Sequence, residues 1–184
     1  MPTLKTRVIN HILKIEGGYV NDPDDRGGET KFGITKKVAR AWGYTGQMKD
    51  LPRQTAFAIY ETKFWDHLRL DAIATLSHKT AAEIADTAVN MGQARAILFL
   101  QRALNALNNR ATLYADIATD GQMGPQTLTA LTGYFNARKN DEGETVLVNA
   151  LNCLQGAKYI DLTTSRETDE KYLFGWMKNR ISIL

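Results

Sequence analysis

The sequence predicts a mainly α protein with one short β element directly after its first helix. Apolar residues recur at helical spacing along most of the 184 residues. Glycines and carboxylates crowd into one stretch, E-G-G-Y-V-N-D-P-D-D-R-G-G-E-T-K-F-G-I-T, residues 16–35. No other stretch reads as a β-hairpin.

The elements follow in order. Leu4, Val8, Ile12 and Ile15 set a helical stripe over 4–15, widened by Ile9 and Leu13. Gly17 and Gly18 stop it, as glycine commonly does after a helix. Residues 19–34 form the hairpin. Thr35 caps a helix through Trp42, ended by Gly43. Pro52 fits the first turn of a helix over 52–67, carrying Ala56, Ile59, Tyr60 and Phe64. Further helices are predicted over 80–91, 93–108, 125–135 (opened by Pro125), 144–161 and 169–182. The best boundary lies near Gly92, giving regions 1–92 and 93–184. No Pro/Ser-rich linker marks it, so the pattern fits two lobes sharing one core as well as two separate units.

Composition narrows the function classes. A hydrophobic share of 43% and a charged share of 23% are ordinary for a globular chain. No apolar run approaches a membrane span. The N-terminal M-P-T-L-K-T-R-V-I-N-H-I-L-K lacks a signal peptide's apolar core and cleavage site, so it reads as a mature helix. Cys153 stands alone on an apolar helix and is expected to pack in the core. His11, His67 and His78 lack metal-site spacing, so no metal and no cofactor are expected. Net charge is +3 with pI near 8.9, which favours an anionic partner such as a cell wall. No dense basic stripe with interleaved aromatics points to nucleic acid.

The acidic stretch carries the chemistry. Glu16 ends an apolar helix, fixed by packing before it and released by glycines after it. Half-burial and a helix C-terminus both favour the protonated form of a carboxyl, as a general acid requires. A second carboxylate must stay ionised across a gap, to stabilise positive charge at a sugar or to activate water. Asp22 and Asp25 both qualify. Thr30 can orient a water through its hydroxyl. The same residues also suit plain Asx turns or, less well, a calcium loop.

Residues 16–35 resemble, nearly residue for residue, the signature of glycoside hydrolase family 108, the N-acetylmuramidases of phages, prophages and bacteria. The resemblance continues in D-T-A-V-N-M-G (86–92), F-L-Q-R-A-L-N (99–105), D-G-Q-M-G-P-Q-T-L (120–128) and L-F-G-W-M-K-N-R (173–180). It implies a lysozyme-like, two-lobed helical fold whose second half is a predicted peptidoglycan-binding region. It implies Glu16 as the general acid. In related phage-type lysozymes a Glu, an Asp and a Thr line the cleft, with eight residues and then five between them. Here eight residues separate Glu16 from Asp25, but only four separate Asp25 from Thr30. The resemblance further implies cleavage of the β-1,4 bond between N-acetylmuramic acid and N-acetylglucosamine, with inversion. It implies a monomeric phage endolysin, made in the host cytoplasm without a signal peptide and acting on periplasmic peptidoglycan. The rival class is a non-catalytic wall-binding or secretion-activator protein on the same scaffold. A chitinase or chitosanase would share the two-carboxylate logic.

Other residues carry two readings each. Asp86 and Asn90 lie one helical turn apart, either facing sugar hydroxyls or tying helices together. Tyr19 and Phe32 on the hairpin are expected to contact substrate, with Asp22, whereas Tyr60 and Trp65 read as core. Asp120 and Thr127 sit in a loop resembling that of peptidoglycan-binding modules, and are expected to touch the wall.

Overall fold

The structure is a computed structural model that describes residues 2–21, 28–138 and 141–181. The first helix, α1 (Leu4–Ile15), starts where Thr3 caps it, its hydroxyl accepting the Thr6 N–H at 3.2 Å. Its apolar stripe buries Ile9, Ile12 and Leu13, while Ile15 stays exposed. The β element has three short strands: β1 (Tyr19–Val20), β2 (Thr30–Lys31) and β3 (Ile34–Thr35). All pair antiparallel, with Tyr19 opposite Lys31, Val20 opposite Thr30, and Lys31 opposite Ile34. The expected hairpin is thus extended by a third strand, because Phe32 and Gly33 form a second reversal.

Thr35 caps α2 (Lys36–Ala41) as predicted, accepting the Val38 N–H at 3.3 Å. Pro52 lies one position outside α3 (Arg53–Tyr60), as its N-cap, with its carbonyl accepting the Ala56 N–H at 3.0 Å. The chain then passes through a π-helical turn, Glu61–Asp66, that buries Phe64 and Trp65. α1 packs on α3 and on this turn. Lys5 of α1 reaches Glu61 and Asp66 at 3.3 and 3.4 Å.

These elements form one compact unit, Met1–His67; Leu68–Leu184 forms a second. The second opens with α4 (Leu70–Leu76), an element the sequence pattern did not yield. Seven residues are too few to repeat an apolar stripe, and only Leu70 and Ile73 are buried. After it come α5 (His78–Met91), α6 (Gln93–Leu107), α7 (Pro125–Ala137), α8 (Asp141–Ser165) and α9 (Glu170–Arg180). Pro125 takes the first turn of α7, as predicted. α8 exceeds its predicted range at both ends, and Asp141, Glu142 and Glu144 in its first turn suit the positive end of a helix dipole.

α5 is the centre of the second unit, packed on α4, α6 and α8, with α9 lying against α8. Its start is fixed by Ser77, whose hydroxyl accepts the Thr80 N–H at 2.9 Å and donates to Glu144 of α8 at 2.5 Å. Cys153 corrects the sequence reading: it is exposed on α8, while Leu151, Asn152 and Gln155 turn inward. Among the described residues no helix is long and apolar enough to cross a membrane.

Candidate functional site

Glu16 closes α1. Its N–H still bonds the Ile12 carbonyl at 2.9 Å, and its side chain is half-buried. The exit that follows needs a glycine for space: a Cβ on Gly17 would lie 2.9 Å from the Leu13 carbonyl oxygen. The chain then enters β1, where Tyr19 is exposed. Asp22 and Asp25, the two candidates for the second carboxylate, lie outside the described residues. The chain returns in β2 with Thr30, half-buried and paired between Val20 and Thr35.

The β2–β3 reversal is a two-residue turn. Phe32 and Gly33 both take left-handed backbone, with φ of 53° and 71°. That matches a type I′ turn, which suits the twist of paired strands. A bulky aromatic in this conformation is uncommon and strained. Gly33 meets a second demand: a Cβ there would lie 2.8 Å from the Tyr60 hydroxyl and 3.3 Å from both Cβ and Cγ of Glu16. The hairpin turn, the end of α1 and the end of α3 therefore converge at one point.

Tyr60 completes this arrangement. Its hydroxyl donates to the Phe32 carbonyl at 2.9 Å, and its ring meets Phe64 edge-on at 6.1 Å. Burial, and after it the charge of Glu16, push the hydroxyl up to about 12. Lys31 caps the other side of the turn, its ammonium 5.3 Å from the Phe32 ring centroid and bonded to the Lys49 carbonyl. The sequence reading took Tyr60 for core and gave Gly33 no role. Trp65 is core, at 1% exposure.

Asp86 and Asn90 belong to the second unit, in a polar seam between α5, α8 and α9. Asn90 Nδ2 donates to the Asp86 carbonyl at 2.7 Å and to Asp86 Oδ2 at 3.0 Å. Arg180 Nη1 lies 3.4 Å from Asp86 Oδ1, and Gln155 Nε2 is 3.4 Å from Asp86 Oδ2. These bonds tie helices together. The seam also holds Glu83, which sequence reasoning passed over. Burial, then the charge of Asp86 one turn along, push Glu83 up to about 7, against bonds from Asn152 and Thr87.

Asp120 lies in the loop between α6 and α7 and Thr127 in the first turn of α7, both organised around one buried amide. Gln101 of α6 donates to Asp120 Oδ1 at 2.8 Å, the Gln122 carbonyl at 3.1 Å and Thr127 Oγ1 at 3.2 Å. Its carbonyl accepts the Gly121 N–H at 2.9 Å. The bond from Gln101, then that from the Gln122 N–H, hold the exposed Asp120 carboxyl below its ordinary range. Thr127 is buried. A groove of about 440 Å³ runs past Asp120, Gln122, Gln126 and Thr127. Among the described residues, no three His, Cys, Asp or Glu side chains are grouped to hold a metal ion.

Residues 9–92 match the family Glycosyl hydrolase 108, and residues 95–181 match the Predicted Peptidoglycan domain. The Brucella abortus SagA structure is similar at 26% identity and a TM-score of 0.65, over 95% of this chain and 87% of that one. None of the curated proteins matches the chain. Glu16, Thr30, Phe32, Gly33 and Tyr60 all fall inside the first match, and the Gln101-centred loop falls inside the second. The first half of the chain is thus similar to the glycosyl hydrolase 108 family, and the second to the predicted peptidoglycan domains.

Proposed function

We propose that the protein is an N-acetylmuramidase, cleaving the β-1,4 bond between N-acetylmuramic acid and N-acetylglucosamine in peptidoglycan. The observation that carries this is the seat of Glu16. A half-buried carboxyl at a helix end, with a hairpin turn packed on its stem, stands in the family-matched region. Glu16 gives its proton to the glycosidic oxygen as the C–O bond breaks. Asp25, or in its place Asp22, takes a proton from the water that attacks the sugar carbon, and Thr30 orients that water. The anomeric centre inverts. Tyr19 and Phe32 contact the sugars, and Asp120 and Thr127 of region 93–184 contact the wall. The biological role is lysis of a host from within by a phage-type endolysin, made in the cytoplasm and acting on the periplasmic wall.

The peptidoglycan-domain match favours a second reading, a protein that grips the wall without cutting it. One experiment separates the two. Purified protein is incubated with Gram-negative sacculi, and released muropeptides are identified by mass after borohydride reduction. The expected result is new reducing N-acetylmuramic acid ends from wild type and almost none from Glu16→Gln. Asp25→Asn and Asp22→Asn run alongside identify the second carboxylate by the larger loss. Sacculi that pellet the protein without new ends establish the binding reading. A Glu16→Gln variant that keeps more than about a tenth of the rate removes Glu16 from the acid role.

A further inference from the structure

The point where three elements meet at Gly33 assigns a further residue to the reaction. Tyr60 has one proton to donate, and it is spent on the Phe32 carbonyl at 2.9 Å. That bond spans 28 positions of sequence and fastens the hairpin turn to the end of α3. The turn so fastened lies against Glu16, because the open side of Gly33 faces the Glu16 Cβ and Cγ at 3.3 Å from where a Cβ would stand. The Glu16 stem is thus confined by the turn on one side and by its own helix on the other. A carboxyl on a two-carbon stem has several staggered rotamers, and confinement of Cβ and Cγ selects among them. Tyr60 sits at the start of a π-helical turn, a rare element that recurs at functional sites.

We infer that Tyr60 is a positioning residue for the general acid: through the Phe32 carbonyl it holds the turn against Glu16 and so fixes where the acid's proton points. This rests on the acid role of Glu16 proposed above. Tyr60 acts without touching the reacting atoms. Burial keeps its hydroxyl protonated, and therefore donating, across the whole range in which a wall hydrolase would work.

The test is Tyr60→Phe, which keeps the ring on Phe64 and removes only the bond to the turn. Rates are measured on soluble glycan strands from peptidoglycan, with thermal unfolding and sacculus pelleting as controls. Since ångström-scale misplacement of a catalytic group costs up to about a hundredfold, kcat is expected to fall about tenfold or more. KM should stay within about twofold, because the bond does not contact substrate. Gly33→Ala, which pushes a methyl between the Tyr60 hydroxyl and the Glu16 stem, should lower kcat in the same way wherever it folds. An unchanged kcat in Tyr60→Phe overturns the inference. So does a loss carried by KM, or one matching the fraction of protein unfolded, since either marks a subsite or a plain buttress. In those cases wild type still cleaves and the muramidase reading stands. If wild type releases no reducing ends, both fall together.

Discussion

Glu83 shows what one carboxyl costs when it is folded away from water. Its proton is held up to about 7 in the folded chain, against an ordinary 4.5. Between those values the folded state keeps a proton that the unfolded state has released, so stability falls as pH rises through that window. The shift corresponds to roughly 3 kcal/mol, fully lost above neutrality. The groups facing it are Asp86 and Thr87 on α5 and Asn152 and Tyr159 on α8, while Arg180 of α9 pairs with Asp86. Glu83→Gln keeps the shape and the hydrogen bonding while removing the charge. Its melting temperature is expected to exceed wild type at pH 8 and to converge on it at pH 5, by circular dichroism. Parallel pH profiles for the two proteins would sink the assignment. Residue roles were unequally legible in the sequence. Glu16 stood out because its local surroundings, an apolar helix and two glycines, are contiguous with it. Tyr60 and Gly33 did not, because their meaning lies in a contact between segments distant in sequence. Glu83 was hidden for the same reason: Asn152 and Tyr159, which face it, come from α8, far along the sequence.

At the scale of elements, long periodic helices were readable, and short or loop-bound features were not. α1 and α6 appear with the predicted limits or within a residue of them. α4 and the π-helical turn escaped because neither is long enough to repeat a pattern. The loop between α6 and α7 was noticed for its glycines and proline, but its organiser sits upstream on a helix. Gln101 is buried, and its amide makes three hydrogen bonds to the loop and one to Thr127 at the start of α7. Truncating it leaves several of those groups without a protein partner, and one buried unsatisfied group costs about 1–3 kcal/mol. Gln101→Ala is therefore expected to destabilise the second unit by about 2–3 kcal/mol in urea unfolding. Sacculus binding should weaken if Asp120 must be held in place to meet the wall. A variant as stable as wild type would mean the loop holds its shape without the amide.

For the whole molecule, the family matches and the packing divide the chain at different places. The matches meet between residues 92 and 95, whereas the compact units meet between His67 and Leu68. α5 lies in the hydrolase match but buries Ala81, Ile84, Ala85 and Ala88 within the second unit, where it packs on α4, α6 and α8. A fragment ending at residue 92 strips α6 and α8 from that apolar face. It is expected to aggregate or to lack a cooperative melting transition, while the full chain unfolds cooperatively; a sharp transition in the fragment would contradict this. The mainly α class with a small β element was legible because periodicity reports it directly. Which helices share a core was not, since one apolar stripe suits many partners.

The placement of α5 bears on how such proteins diversify. A chain that acquired a new second half by recombination near residue 92 would inherit a first half whose last helix expects particular neighbours. The incoming α8 and α9 would need an apolar face to fit Ile84 and Ala88, and a cation where Arg180 meets Asp86. Successful exchanges should therefore be those in which donor and recipient agree along that seam. Binding preference in such chains would then shift by point changes in surface loops more readily than by swapping whole halves.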